Sequence, residues 1–372
     1  MKKFIVVTIS CLIVIVGVYL ISTTTLLKDL YVKMYDIETD VYVTDDNIYF
    51  TQLSNVEKEI YKGIMIAVEN LEEEAIIITD SNVDFNNVNR AYTAYFLDNE
   101  DVFFVLNEYD VSMTNFRSFH KTNIDLQYTN NKEHIEKQKQ KIELKVNEVI
   151  SEVIKDGMSD FEKEVAVHDY LVSHVAYYNC DNDIPFEKHT VYGALIEREA
   201  VCDGISKAFQ LILKKLNIRT ITVTGVADGM SHAWNKVKLE NNWYNVDVTS
   251  DSTDDGKYVN HIYFNLTDEK ISKTHTVDNL FIKPIANSEK YNYYEYMDYT
   301  LSSGDLLRTK VYNLIQTTNG DVLEFRLKDN YYDIQDIVSK LFELNFNNYK
   351  SSGISSMKYF YQDDIYIFKK EI

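Results

Sequence analysis

The first apolar pattern in the chain is an uncharged run, Phe4–Ile21, directly behind Lys2 and Lys3. As a helix this run would extend about 27 Å at roughly 1.5 Å per residue, enough to cross the hydrocarbon core of a membrane. A cleaved signal peptide is the alternative, but its apolar region is normally about 7–15 residues long and ends at a small-residue site, to which only Ser22-Thr-Thr-Thr comes close. The two lysines favour a cytoplasmic N-terminus. We therefore expect a single-pass membrane anchor with the remaining chain outside the cell.

Apolar residues at helical spacing form the second pattern. Two capping boxes, Ser54-Asn-Val-Glu57 and Ser159-Asp-Phe-Glu162, are each followed by such residues. The same spacing follows Cys202, which therefore lies in the first turn of a helix or just before it. The helices predicted in this way extend from Ser54 to about Leu71, over Lys132–Lys155, from Ser159 to His174 and from Cys202 to Leu216.

Alternating apolar and polar residues predict strands. Thr220–Gly225 is one strand, a turn follows at Ala227–Ser231, and a second strand begins near His232. Asn241-Asn242 then forms a hairpin turn, and Trp243–Thr249 returns. Short strands are predicted at Ala75–Thr79 and Asp101–Leu106, and a small α/β appendage is predicted from Leu306–Thr317, Val322–Leu327, Asp333–Leu344 and Met357–Phe368.

The composition indicates a folded protein of more than one domain. The 372 residues exceed the usual domain size of about 100–200 residues, and 45% of them are hydrophobic. The Tyr-rich stretch Tyr291–Tyr299 is able to stack on carbohydrate, but packing within a short linker or strand is the simpler interpretation. The formal net charge of −20 argues against a nucleic-acid partner, because binding a phosphate backbone needs a basic surface.

The cysteines leave two interpretations open. Cys11 lies within the apolar run, so only Cys180 and Cys202 would face the exterior, where disulfides form. A bridged Cys202 is unable to attack a substrate. A free Cys202 at a helix N-terminus, by contrast, is placed where the helix macrodipole and unpaired N–H groups favour the nucleophilic thiolate. Gly204 would allow another backbone segment to approach there, and a buried structural cysteine remains the alternative.

An imidazole and a carboxylate follow Cys202 in the order that a relay requires. His232 would exchange a proton with the thiol, and an aspartate on the returning strand would orient the imidazole. A flat hairpin with a two-residue turn at Asn241-Asn242 would place Asp251 opposite His232. A longer or bulged loop would shift the register towards Asp247, so the residues alone leave both carboxylates open.

Other possible ligands form no recognisable metal motif. Cys, His and Asp can bind zinc, but no Cys-x-x-Cys or His-x-x-x-His pairing supports such a site. The acidic loops Asn179–Pro185 and Asp251–Gly256 lack the ligand pattern of an EF-hand. We therefore expect neither metal nor cofactor. The remaining histidines considered, which are His120, His134, His168 and His174, are interpreted as packing or solvated residues.

Linked motifs over residues 159–267 resemble the transglutaminase-like superfamily, whose papain-like cores carry Cys, His and Asp in this order. The resemblance is to bacterial, membrane-anchored, extracytoplasmic members, which have a helix similar to Glu162–Leu171. Carried over residue by residue, it implies Cys202 as nucleophile, His232 as general base and acid, and Asp247 as orienting carboxylate. The motifs are Tyr192-Gly-Ala-Leu, Ala200-Val-Cys202-Asp-Gly204 with Ser206-Lys-Ala-Phe209, His232-Ala-Trp234-Asn and Trp243-Tyr-Asn-Val-Asp247-Val-Thr.

One departure from the family pattern is visible. Bacterial members often continue after Asp-Val-Thr with a Trp and paired acids, where this chain has Ser250-Asp251. The packing on the substrate side is therefore not carried over. Calcium dependence, a feature of the animal enzymes, is not carried over either, because nothing here matches their extra domains.

The resemblance implies an α+β fold, with a nucleophile helix packed on an antiparallel sheet in a papain/transglutaminase-like core. An N-terminal α+β region and a small C-terminal α/β appendage would flank this core, preceded by one transmembrane helix. The expected boundaries are an anchor at 1–24, an N-terminal region at 25–155, a catalytic domain at 156–272 and an appendage at 273–372.

The function implied is cysteine-dependent acyl transfer on peptide or protein amides at the cell surface, with substrates in the cell envelope as one expectation. Hydrolysis of the thioester would make the protein a peptidase or amidase, and capture by an amine would make it a transglutaminase. The backbone N–H of Cys202 is one expected oxyanion donor. The alternative is a catalytically silent module of the same fold that binds or scaffolds envelope proteins.

Overall fold

The computed structural model describes residues 26–33, 41–179, 183–252, 259–301, 322–327, 356–362 and 365–371. The fold is mixed α+β, as the resemblance implies. The chain divides into two compact units, residues 1–141 with 279–282 and residues 142–278 with 283–372. The four-part division proposed from the sequence stays a prediction.

The expected membrane anchor lies outside the described residues, as do Cys180 and the segments predicted at 306–317 and 333–344. Within the described ranges, no helix is both long and apolar enough to cross a membrane.

The first unit contains helices and a three-stranded antiparallel sheet of order β1-β3-β2. The capping box predicted at Ser54 is present, since the backbone N–H of Ser54 donates to Glu57 and that of Glu57 to Ser54 Oγ. Its elements are α1 Ile48–Thr51, α2 Asn55–Asn70, β1 Glu74–Thr79, α3 Phe85–Asp98, β2 Val105–Asn115 and β3 His120–Tyr128; residues 26–33 are also helical.

The strand predicted at Asp101–Leu106 is wrong in its position. A turn occupies residues 99–103, in which the N–H of Val102 donates to Asn99 O, and the strand begins only at Val105. Most of β2 is exposed, with polar residues on both faces. Apolar Tyr109, Val111 and Met113 alternate with polar residues, but this alternation lies beyond the predicted bounds.

The second unit contains the predicted nucleophile helix and hairpin. One sheet has the order β8-β7-β6-β9, and another has the order β10-β11-β13-β12. A 3-10 helix occupies Phe186–His189 and a π-helical turn Gly193–Glu197. The boundary between the units falls within α4. The elements are α4 Lys132–Val153, α5 Asp160–His174, β4 Ala176–Tyr177, β5 Glu199–Ala200, α6 Cys202–Lys215, β6 Thr220–Ala227, β7 Met230–Leu239, β8 Asn242–Val246, α7 Asp268–Ile271, β9 His275–Val277, α8 Tyr293–Tyr296, β10 Thr300–Leu301, β11 Val322–Leu327, β12 Ser356–Gln362 and β13 Ile365–Glu371.

Helix α6 packs on the β6–β7 hairpin, which gives the predicted arrangement of a helix on an antiparallel sheet. Its apolar face is fully buried at Phe209 and Ile212. Polar bonds fix the contact: Ser206 Oγ donates to Ala233 O at 3.0 Å, and Asn235 Nδ2 donates to Ser206 O at 3.0 Å. The helix start is thereby tied to the strand that carries His232.

The β7–β8 turn lies one residue earlier than the sequence predicted. Leu239 pairs with Asn242, so the turn is Glu240-Asn241, and Glu240 has a φ of 51°. This register brings position 249, rather than Asp251, level with His232. The pairing ends at Val246, directly before Asp247.

Helix α5 buries a carboxyl group that titrates in an accessible range. Glu164 is fully buried and accepts a hydrogen bond from Asn265 Nδ2 at 2.9 Å. Burial raises the pKa of Glu164 to about 8. Because this value lies above the unfolded value of about 4.3, the folded state retains a proton that the unfolded state loses, and stability falls as pH rises from about 4.3 to about 8.

We expect Glu164→Gln to remove this pH-dependent loss of stability. Its free energy of unfolding relative to wild type should rise by about 3–4 kcal/mol between pH 5 and pH 8, measured by urea denaturation. Glu152→Gln, at an exposed position of α4, is the matched control and should show no such trend. A pH-independent difference for Glu164→Gln would contradict the prediction.

Candidate active site

Cys202, His232 and Asp247 come together in the second unit, although 30 and 15 residues separate them in sequence. Cys202 is the first residue of α6 and carries a free, partly accessible thiol. His232 lies on β7 with its Nε2 2.7 Å from Asp247 Oδ2, and the Cys202 side chain is close enough to raise the pKa of the imidazole. The structure therefore links the three groups through the imidazole.

The start of α6 is held by the backbone of the 3-10 helix. The N–H of Val201 donates to Lys188 O at 3.0 Å. A Cβ on Gly204 would lie 2.5 Å from the same carbonyl oxygen, so only glycine permits this approach. The close approach expected at Gly204 is therefore present, and it fixes the position of the thiol.

Asp247 is a fully buried carboxylate surrounded by donors. Burial alone would raise its pKa, but the hydrogen bonds from His232 and His275 outweigh burial and hold the pKa well below its usual range. Asp247 is therefore ionised and can only accept hydrogen bonds. Its five donors are His232 Nε2, His275 Nε2 and Ser250 Oγ on Oδ2, and the backbone N–H groups of Thr249 and Ser250 on Oδ1.

The ionised carboxylate determines the protonation of His232. Burial opposes the imidazolium, but Asp247 and Cys202 together raise the pKa of His232 to about 10. Nε2 must carry a proton to donate to Asp247, which leaves Nδ1 for the sulfur. With a pKa of about 10, the imidazole also holds a proton on Nδ1 near neutral pH, and it can give that proton to a leaving group.

The other carboxylate left open by the sequence has a different partner. Asp251 Oδ2 lies 3.2 Å from His168 Nε2, and Asp251 Oδ1 accepts from the N–H of Tyr263 at 2.8 Å. Burial raises the pKa of Asp251 to about 6. The structure thus places Asp247, and not Asp251, on His232.

Asp251 begins a buried chain of charged groups that the sequence did not indicate. His168 also contacts Asp169, Asp169 contacts His261 at 2.9 Å, and His261 Nδ1 lies 2.6 Å from Glu324 Oε1. The Tyr-rich stretch packs against this chain, with the Tyr293 ring stacked on His261 at a centroid distance of 3.6 Å. Packing, the simpler interpretation of that stretch, is what the structure shows for Tyr293.

Among the residues that the structure describes, two groups of side chains have a geometry that could hold a metal ion: His168, Asp169 and His261, and His232, Asp247 and His275. In both groups the nitrogen and oxygen atoms already pair as donors and acceptors. Hydrogen bonding thus accounts for both groups. His275, which belongs to the second, had no signal in the sequence because it is a single histidine in a short polar segment.

Comparison with known proteins supports the resemblance seen in the motifs. The model of the transglutaminase-like superfamily matches residues 147–248. The mouse protein kyphoscoliosis peptidase is 27% identical over 120 residues, which are 28% of this chain and 18% of the mouse protein. The chain thus spans less than a fifth of that relative.

Two solved structures are similar to parts of this chain at a low level. A crystal structure of a TGase has a TM-score of 0.30 and 14% identity, with 63% of this chain and 60% of that chain covered. A candidate cysteine protease from Cytophaga hutchinsonii has a TM-score of 0.26 and 13% identity, with 39% and 63% covered. Because both scores are low, the assignment rests on the sequence match. The chain therefore contains a transglutaminase-like domain, which that match places at residues 147–248.

Proposed function

We propose that this chain transfers acyl groups from peptide or protein amides through a thioester on Cys202. The observation that carries the proposal is the imidazole of His232, which bonds buried Asp247 through Nε2 and whose pKa is raised by the neighbouring Cys202. Such an arrangement is the one that activates a cysteine nucleophile. A membrane anchor at 1–24, with the catalytic domain outside the cell, belongs to the same proposal.

The chemistry follows from the positions of these groups. The Cys202 thiolate attacks the amide carbonyl carbon, and the oxygen becomes an oxyanion near the α6 N-terminus, where the N–H of Cys202 is one donor. The C–N bond then breaks as Nδ1–H of His232 protonates the amine. His232 next removes a proton from water or from an acceptor amine, which attacks the thioester and regenerates the thiol.

The silent scaffolding module is the competing proposal. Burying ionised Asp247 opposes folding unless its donors compensate, and one of those donors, His232, also reaches the only thiol among the described residues. A binding module has no need of this contact. Acyl transfer is therefore the better supported function.

p-Nitrophenyl acetate tests the proposal without knowledge of the natural substrate. We expect a burst of p-nitrophenol together with one acetyl group on Cys202, located by mass spectrometry of peptides. Cys202→Ser should abolish the burst, because a serine hydroxyl is a far weaker nucleophile than a thiolate. Adding a primary alkylamine then separates the two reaction types, since amine capture accelerates deacylation only in a transglutaminase.

The outcome that would overturn the proposal is equally specific. Wild-type protein that is folded by circular dichroism yet acetylates no faster than its Cys202→Ser variant would favour the silent module. Acetylation confined to lysines would have the same meaning.

A further inference from the structure

A second imidazole bonds the same oxygen of Asp247 as His232 does. His275 Nε2 lies 2.9 Å from Asp247 Oδ2, compared with 2.7 Å for His232 Nε2. We propose that His275 is a positioning residue that holds the Asp247 carboxylate for His232. This inference rests on the proposed function of Cys202.

The sheet brings the two histidines to the same face. On β6, Gly225 pairs with His232 and Ala227 pairs with His275, so β6 places only a hydrogen and a methyl group between the two imidazoles. A Cβ on Gly225 would lie 2.1 Å from the carbonyl oxygen of Thr276. Glycine therefore allows β9 to pair here and bring His275 within reach of Asp247.

The ring of His275 is fixed on several sides. Its Nδ1 lies 2.8 Å from Thr274 Oγ1, and its ring packs edge-on against Trp234 at a centroid distance of 5.0 Å. His275 is 4% exposed. It is thus screened from substrate and acts on the reaction through its contacts with Asp247 and with the edge of the His232 ring, 5.4 Å away between centroids.

The protonation states of Asp247 and His275 define the role of their hydrogen bond. Because Asp247 is ionised, Nε2 of His275 must be the donor in their bond, as Nε2 of His232 is. The second donor on Oδ2 fixes the carboxylate in the orientation that faces His232. Asp247 therefore stays bonded to Nε2–H of His232, which stabilises the imidazolium and keeps Nδ1 facing the thiol through the cycle.

The substitutions His275→Gln and His275→Leu separate positioning from packing. Glutamine Nε2 can replace the Nε2–H donor, whereas leucine fills space without a donor. We measure the rate of Cys202 alkylation by iodoacetamide from pH 5 to pH 10. His275→Leu should move the midpoint of this profile up by about one pH unit and slow the reaction at pH 6 about tenfold, and His275→Gln should restore most of the rate.

The first comparison is between the alkylation profiles of wild type and of His232→Ala. If the two profiles are the same, the proposed function itself has failed. If they differ, His275→Leu and His275→Gln both at the wild-type midpoint would overturn the inference. Equal losses in both variants would also overturn it, because packing alone would then explain the effect. His174→Leu, an exposed histidine on α5, is the matched control.

A measurement on Asp247 covers the case in which His275→Leu does not fold. In ring ¹H–¹⁵N spectra, Nε2–H of both His232 and His275 should shift on Asp247→Asn. A shift of the His232 signal alone would show that His275 does not bond this carboxylate in solution.

Discussion

Asp247→Asn is expected to slow acetylation of Cys202 by p-nitrophenyl acetate by on the order of 10²–10⁴-fold, the range found when the orienting carboxylate of a relay becomes an amide. The five donors around Asp247 leave no acceptor for the N–H₂ group of an asparagine. An amide oxygen turned to Thr249 would therefore present N–H₂ to His232 Nε2. That contact favours the tautomer with its proton on Nδ1, which can no longer accept the thiol proton.

Asp251→Asn is the control because Asp251 is also fully buried and also bonds a histidine. Its partner is His168, so acetylation per folded molecule should stay within about threefold of wild type. The measurement is the burst rate of each variant, with the folded fraction determined by circular dichroism. A larger loss in Asp251→Asn than in Asp247→Asn would reverse the assignment of the carboxylate.

The choice between these two aspartates shows where sequence reasoning stopped. Local signals located α6 and the hairpin strands. Which of the two carboxylates faces His232 depended on the position of one turn. Glu240 adopts a left-handed conformation that sequence rules assign mainly to Gly and Asn, so the turn was placed one residue late.

The rules for periodicity and turns do not predict contacts between residues that are far apart in the sequence. His275 lies 28 residues after Asp247 and reaches it only because β9 pairs with β6 rather than with its neighbour in sequence. Glu324 lies 63 residues after His261. Neither residue stands in a periodic pattern, and a lone polar residue carries no information about a partner so distant in the chain.

His261→Leu is expected to reduce the free energy of unfolding by about 3 kcal/mol at pH 6, because it leaves buried Glu324 and half-buried Asp169 without their shared cation. His261 is 3% exposed and lies between Asp169 and Glu324. Burial opposes its charge, but Glu324 and Asp169 raise the pKa of His261 to about 10. Urea denaturation followed by circular dichroism measures the loss.

A double-mutant cycle identifies the charge as the cause. Glu324→Gln removes one anion and keeps the shape of the side chain, so His261→Leu should cost less in this background than in wild type. His174→Leu should cost no more than about 1 kcal/mol, because His174 is exposed. Additive losses in the cycle would show that His261 contributes through packing alone, for example through its stacking on Tyr293.

The pH dependence follows from the direction of the shift. Since the pKa of His261 is raised from about 6.5, its contribution is fully present below pH 6.5 and is lost as pH rises through about 10. The difference between wild type and His261→Leu should therefore be largest near pH 6 and shrink towards pH 10. Asp169, whose pKa is lowered mainly by His261 against the effect of burial, loses its contribution only as pH falls below about 4. A difference that grew with pH would mean that His261 is neutral in the folded protein, and the buried chain would then have to be held together by neutral hydrogen bonds.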